Sequence, residues 1–263
     1  MHNLFIAEII KLKRKKILAL IVAAFVIDVV IILTTINDGM PQPQFLGLYR
    51  RAFTTISSVL HPLIISLIGI YIVSDEYKND TINHIVTAPV PPAKFVFAKI
   101  MILQALTLLL TIAVAIIFGI CFILFGEGNS IKLLENVILH LFVNSITFTL
   151  AFLPILLIVI IFRSNIIIPI VSLLVFSGVI ILKNSGTISV TSNSISEWVL
   201  NYLHPLGNAS MIDSALTYRF VPNPEVYGII SPDINWAVSL ACFLGVLLLS
   251  VGFSIVILNR QNH

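Results

Sequence analysis

Residues 100–125 read IMILQALTLLLTIAVAIIFGICFILF, twenty-six positions without one charged side chain. The hydrocarbon layer of a membrane is about 30 Å thick, and a helix needs about 20 mostly apolar residues to cross it. This stretch meets that requirement, and five further runs meet or approach it, at residues 17–36, 52–73, 137–162, 166–182 and 236–258. Pro154 in the fourth predicts a kink, because proline frees a backbone carbonyl that neighbouring helices must then satisfy. The fifth is short, with Pro169 near its start. The first is too long for a signal-peptide core and lacks a small-residue cleavage site, so it reads as a retained span.

Composition agrees with that reading. Of 263 residues, 58% are hydrophobic and 10% charged, and the mean hydropathy is +1.07. Soluble domains carry about 25% charged residues, so this chain has too few to cover a water-facing surface. The expected fold is all-α: one polytopic membrane domain over residues 1–263 with six transmembrane helices. Cys121 and Cys242 both fall in apolar runs and read as small packing residues, since neither a disulfide framework nor a metal site has enough partners.

The net charge of +3 matters less than where the charges lie. With the N-terminus inside, the cytoplasmic segments hold Lys11, Lys13, Arg14, Lys15, Lys16, Lys78, Lys94, Lys99, Arg163 and Arg260. The outer segments hold Arg50, Arg51, Lys132, Lys183 and Arg219, a bias of ten to five. Cytoplasmic loops carry the excess of Lys and Arg, so both termini are expected in the cytoplasm. In residues 1–16, Phe5, Ile9 and Leu12 share one helical face while Glu8, Lys11 and Arg14 decorate another. That pattern suits an amphipathic helix in the inner interface, its basic side (Lys11, Lys13, Arg14, Lys15, Lys16) toward anionic headgroups. The same residues also serve as a positive-inside anchor, and the two readings are compatible.

Residues 183–235 form the longest loop and are expected outside. Their first part is rich in Ser, Thr and Asn, and short apolar pieces follow around Trp198, Tyr202, Met211 and Tyr218. Such pieces suit short re-entrant or interfacial helices before the last span, with Trp198 and Tyr202 as boundary anchors.

Chemistry is sparse. No G-x-x-x-x-G-K-[ST], H-E-x-x-H, G-x-S-x-G or C-x-x-C occurs, so the chain has no P-loop of its own and no familiar catalytic motif. The adjacent Asp75-Glu76 is weak evidence for a metal or acid/base site. Asp28 lies mid-span, where a carboxylate costs about 2.5–3.5 kcal/mol on insertion scales. It is expected to face the bundle interior or a partner, either as a helix-to-helix hydrogen bond or as a substrate or proton-coupling residue. His61-Pro62 and the set Asn144, Ser145, Thr147 and Thr149 read first as polar glue between helices.

The polar segment 74–98 is the most informative. It runs SDEYKNDTINHIVTAPVPPAKFVFA, with Lys99 opening the third run. Its pattern resembles the first cytoplasmic loop of ABC-2 type transporter permeases: an acid, a Thr, a Pro and a Lys, here Glu76, Thr81, Pro89 and Lys99, spaced by five, eight and ten. Asp80 stands where that family usually has Gly, and Pro91-Pro92 replaces the usual Ser-Arg. In length and layout the chain resembles the compact permeases of bacitracin-resistance, lantibiotic-immunity and phenol-soluble-modulin export systems.

The resemblance implies a coupling segment resting in a groove of a separate ATPase, with Asp75, Glu76, Tyr77, Lys78, Thr81, Pro89 and Lys99 as its residues. ATP and Mg²⁺ would be bound by that partner, two copies expected, and no cofactor by this chain. A second permease chain, identical or a sister, would complete the pathway in a bacterial cytoplasmic membrane. The implied activity is export of amphipathic or antimicrobial peptides, with no nucleic acid involved. Two other classes remain as alternatives, an intramembrane enzyme and an immunity protein that sequesters a peptide without transport. The enzyme would need paired catalytic groups at one membrane depth.

Overall fold

The computed structural model describes residues 17–37, 60–78, 91–125, 131–162, 165–184, 198–220 and 235–261, with five further positions between 45 and 56. The basic N-terminus, Thr81, Pro89 and the Ser/Thr/Asn stretch all lie outside the described residues. The described chain is helical: α1 (Ile17–Asn37), α2 (His61–Lys78), α3 (Pro92–Phe125), α4 (Ile131–Ala151), α5 (Leu153–Phe162), α6 (Ile167–Asn184), a π-turn (Val199–Leu203), α7 (Pro205–Phe220) and α8 (Trp236–Gln261).

Four helical stretches have the length and apolarity to cross a membrane: Ala19–Asn37, Pro92–Leu124, Ile131–Phe162 and Trp236–Arg260. They coincide with the first, third, fourth and sixth apolar runs. The second and fifth appear as α2 and α6, of 18 residues each. Charge at its end, from Asp75, Glu76 and Lys78, sets α2 apart from the four.

Proline places several helix starts. Pro62, Pro92 and Pro205 sit in first turns, where a missing N–H is harmless and the fixed φ is already helical. Pro92 starts α3 eight residues before the run that begins at Ile100, and the Pro91 carbonyl accepts from the Lys94 and Phe95 amides. The resulting 34-residue helix is about 51 Å long, longer than the hydrocarbon layer, so the end bearing Lys94 and Lys99 reaches beyond it. Pro154 has the expected effect. Without its N–H the helix breaks at Phe152, and the Phe152 amide turns to the Thr149 carbonyl at 3.3 Å.

Burial identifies the centre. The apolar part of the Ile131–Phe162 stretch is 61% buried, against 22% for α1 and for α8. So α4 and α5 form the middle of the bundle, with α2, α3, α6, α7 and α8 against them. The outer faces keep exposed rows such as Val22, Val26, Val30 and Leu33 on α1, and Ile112, Ile116, Ile120 and Ile123 on α3. Rows of this kind suit lipid rather than water. Where α2 meets the break between α4 and α5, a methyl on Gly69 would come within 2.6 Å of Phe152 Cε1. Only glycine allows that approach.

Two apolar clusters fill the interior. The larger joins α2, α5, α6 and α8 with the first half of α3. The second gathers Phe45, Leu48, Tyr49 and Ile56 against Val114, Phe118 and Cys121 of α3 and Leu133, Val137 and Leu141 of α4. Several hydroxyls inside the spans bond within their own helix. Thr107, Ser177, Ser250 and Ser254 each donate a hydroxyl to a carbonyl four residues earlier, at 2.7–2.8 Å.

Candidate functional site

Three buried polar groups lie at successive levels of the bundle. At the end where α2 stops and α3 starts, Lys99 Nζ donates to Glu76 Oε1 at 2.7 Å. Both side chains are only 2–3% exposed, and the ammonium also lies 5.1 Å from the centre of the Phe95 ring. Charges this deeply buried persist only when paired, because either one alone carries a desolvation penalty of several kcal/mol. The pair therefore pins the two roots of segment 77–98 together. Glu76 and Lys99, two of the residues that the resemblance assigns to ATPase coupling, are turned into the chain and toward each other. Asp75 and Tyr77 beside them are half-buried.

At the middle level, Asp28 of α1 is fully buried and its Oδ2 lies 2.9 Å from Nε2 of His61, the first residue of α2. The other carboxylate oxygen, Oδ1, has no hydrogen-bond partner among the described residues. His61 also lines a cavity of about 20 Å³ between α2, α3 and α4, shared with Thr107, Thr111, Asn144, Ser145 and Thr149. About one water would fill it, and the wall has the polar partners that buried water requires. The Thr149 hydroxyl lies 2.9 Å from that of Thr107, joining α4 to α3 across this wall. Three features read separately in the sequence (Asp28, His61-Pro62 and the polar set of the fourth run) thus form one site.

The third group was not legible beforehand. Tyr49 Oη lies 2.6 Å from His140 Nδ1, and His140 Nε2 lies 2.9 Å from Asp213 Oδ1. Burial first, and then the Asp213 carboxylate, hold the Tyr49 phenol well above its ordinary range. A carboxylate can only accept, so the Nε2–H donates to Asp213, and Nδ1 of the neutral imidazole then accepts from the phenol. Tyr49 and His140 are each 1% exposed and Asp213 6%. The Tyr49 ring packs edge-on to Phe118 and stacks against Phe45.

A tyrosine, a histidine and an aspartate in line could serve as a base relay in an open cleft. Here the three side chains are buried and bonded to one another across separate elements, so the group fastens helices. A further clasp secures the same helix: Asn208 of α7 donates to the Ser239 carbonyl at 3.0 Å and accepts from the Ser239 hydroxyl at 2.6 Å. The only sequence signal for the triad was polarity in an apolar setting, at His140. Tyr49 and Asp213 stand 91 and 73 residues away from it. Among the described residues, no group of three His, Cys, Asp or Glu side chains is placed to hold a metal ion.

Comparison with known proteins adds one positive result. No curated protein and no solved structure matches the chain. The profile of the family described as "ABC-2 family transporter protein" matches residues 4–196, well over half of the 263. That match includes segment 74–98, both partners of the Glu76–Lys99 pair, and the Asp28–His61 site. With several membrane-length apolar helices packed around α4 and α5, the chain is a multi-pass membrane protein belonging to the ABC-2 family of transporter proteins.

Proposed function

We propose that the chain is the permease subunit of an ATP-binding-cassette exporter that moves amphipathic or antimicrobial peptides out of the cell or its membrane. A separate ATPase, in two copies, would bind ATP and Mg²⁺ and drive it. A second permease chain, identical or a sister, would complete the pathway. In this reading α2 and α6 are the remaining two of six spans, and the ten-to-five bias of Lys and Arg puts both termini on the cytoplasmic side of a bacterial membrane.

The observation that carries the reading is the buried Glu76–Lys99 pair at the base of segment 77–98 in a chain of this family. ATP can move the permease only by favouring one arrangement of its helices over another. A contact on segment 77–98 is transmitted best when its two roots move together, and the buried pair provides that rigidity. Glu76 and Lys99 then act by holding the coupling segment, while Asp75, Tyr77 and Lys78 are nearer the partner.

Mild purification of the tagged chain from native membranes, followed by mass spectrometry, tests this. The expected companion is a near-stoichiometric soluble protein with a P-loop. A chain that comes away alone in several gentle detergents, with no ATP hydrolysis in the preparation, would refute the assignment.

A further inference from the structure

We propose that the cavity between α2, α3 and α4 is a binding site for one water-sized monovalent cation, with the Asp28 carboxylate as its counter-charge. The site needs only this chain, so the inference stands apart from the exporter reading and from any partner ATPase.

The hydroxyl groups on the wall decide what the cavity can hold. A Ser or Thr hydroxyl has one hydrogen to give and two lone pairs to offer. Thr107 gives its hydrogen to the Leu103 carbonyl and Ser145 to the Phe142 carbonyl, at 2.8 and 2.7 Å. Thr149 spends its hydrogen on the Ser145 carbonyl or on Thr107 Oγ1, at 2.8 and 2.9 Å. All three residues line the cavity, and with their hydrogens committed they can offer it only lone pairs. A guest that needs acceptors alone is a small cation.

Charge points the same way. Asp28 is fully buried, and its Oδ1 has no hydrogen-bond partner among the described residues. Its Oδ2 lies 2.9 Å from His61 Nε2, and a carboxylate only accepts, so the imidazole donates there. With a neutral imidazole the pair keeps one full negative charge, which is costly to bury without compensation. His61 is itself part of the cavity wall, so a cation there sits one imidazole ring from that charge. Water filling the same space leaves the charge uncompensated, and a divalent ion overshoots it. The volume of about 20 Å³ holds one small guest and no substrate side chain. The wall also includes Phe152, where the α4–α5 stretch breaks, and interrupted helices are where membrane carriers hold small ions.

Bound there, the cation joins α2 to α3 and α4, so its occupancy stabilises the folded bundle. The purified full-length chain, in one mild detergent at about pH 8, where protons are scarce as a competing counter-charge, would be melted in chloride salts of equal ionic strength. Sodium, potassium and ammonium are compared with N-methylglucamine, a cation too large for the cavity. At least one of the small ions is expected to raise the melting temperature by about 2–4 °C, along a curve that saturates with concentration.

Asp28→Asn removes the counter-charge and should abolish that rise. Thr149→Val removes a wall oxygen without touching the Asp28–His61 pair and should weaken binding about tenfold, and Thr149→Ser should restore it. Ser177→Ala loses a similar intrahelical bond away from the cavity and should keep the parent's ion response. The proposal is overturned if the parent chain melts alike in all four salts, the behaviour of a cavity that holds only water. An ion-specific rise that survives in both Asp28→Asn and Thr149→Val would place the ion elsewhere and overturn it equally. The four-salt comparison needs no variant, so if Asp28→Asn fails to fold, that comparison and Thr149→Val still decide.

Discussion

The two ends of the bundle are tied in different ways. At one end, Glu76 and Lys99 are a pair of full charges, 23 residues apart, joined at 2.7 Å with almost no exposure. At the other, Tyr49, His140 and Asp213 share protons along a chain from the segment before α2 to α4 and α7. A charge pair is stiff and intolerant, because removing one partner strands the other in a medium that cannot solvate it. A chain with neutral members yields more gradually and can exchange protein partners for water. Stiffness suits the root of a segment that passes on a push.

That contrast makes graded predictions. Glu76→Ala or Lys99→Ala should have the largest effect, about 3–5 kcal/mol of destabilisation, seen as a fall in the melting temperature of the purified chain. Glu76→Gln combined with Lys99→Met, which removes both charges and keeps volume, should recover most of it. If the double variant were as unstable as either single one, the intolerance would not be electrostatic.

At the other end, His140→Ala or Asp213→Ala should cost about 1–3 kcal/mol, the penalty of leaving a buried polar partner unmatched. The two changes share one bond, so together they should cost less than their sum. Strict additivity in a double-mutant cycle would mean that this bond does not couple α4 to α7. Asn208→Ala should cost about 1–2 kcal/mol and loosen α7 from α8, detectable as faster proteolysis of residues 198–220.

The smallest effect belongs to Tyr49→Phe, about 1 kcal/mol near neutral pH. It also carries a pH signature. The phenol is held well above its ordinary range by burial and by Asp213, so the folded state keeps its proton longer than the unfolded state does. Its contribution is complete below the unfolded value of about 10 and is lost as pH rises past that value toward the folded one. The melting temperature of the parent chain should therefore fall more steeply above about pH 10 than that of Tyr49→Phe. Parallel curves would contradict the buried-donor role of the phenol.

The difference between the ends is also a difference in what the sequence shows. Residues 100–125 announce a span because length and apolarity need no partner to be read. Glu76 and Lys99 were legible as members of one segment because they flank a single loop, although their contact with each other was not. Asp28 stood out as a carboxylate in a span, but nothing local said that it meets His61. Tyr49, His140 and Asp213 were hidden because helix packing brings them together, and a lone Tyr or His in a membrane chain has many uses. The early start of α3 was hidden for a different reason: Pro91-Pro92 looks like a loop, yet proline is well suited to a first helical turn.

The most direct test of the account is ATP hydrolysis by the chain reconstituted with its accompanying ATPase, compared across Glu76→Lys, Lys99→Glu and the two combined. The account predicts that each single reversal lowers stimulated hydrolysis at least tenfold, or 1.4 kcal/mol and more, while the ATPase alone is unaffected. The combined swap rebuilds the pair with opposite polarity and should regain most of the activity. Single reversals that stay folded and hydrolyse ATP as the parent does would contradict the claim that this pair holds the coupling segment.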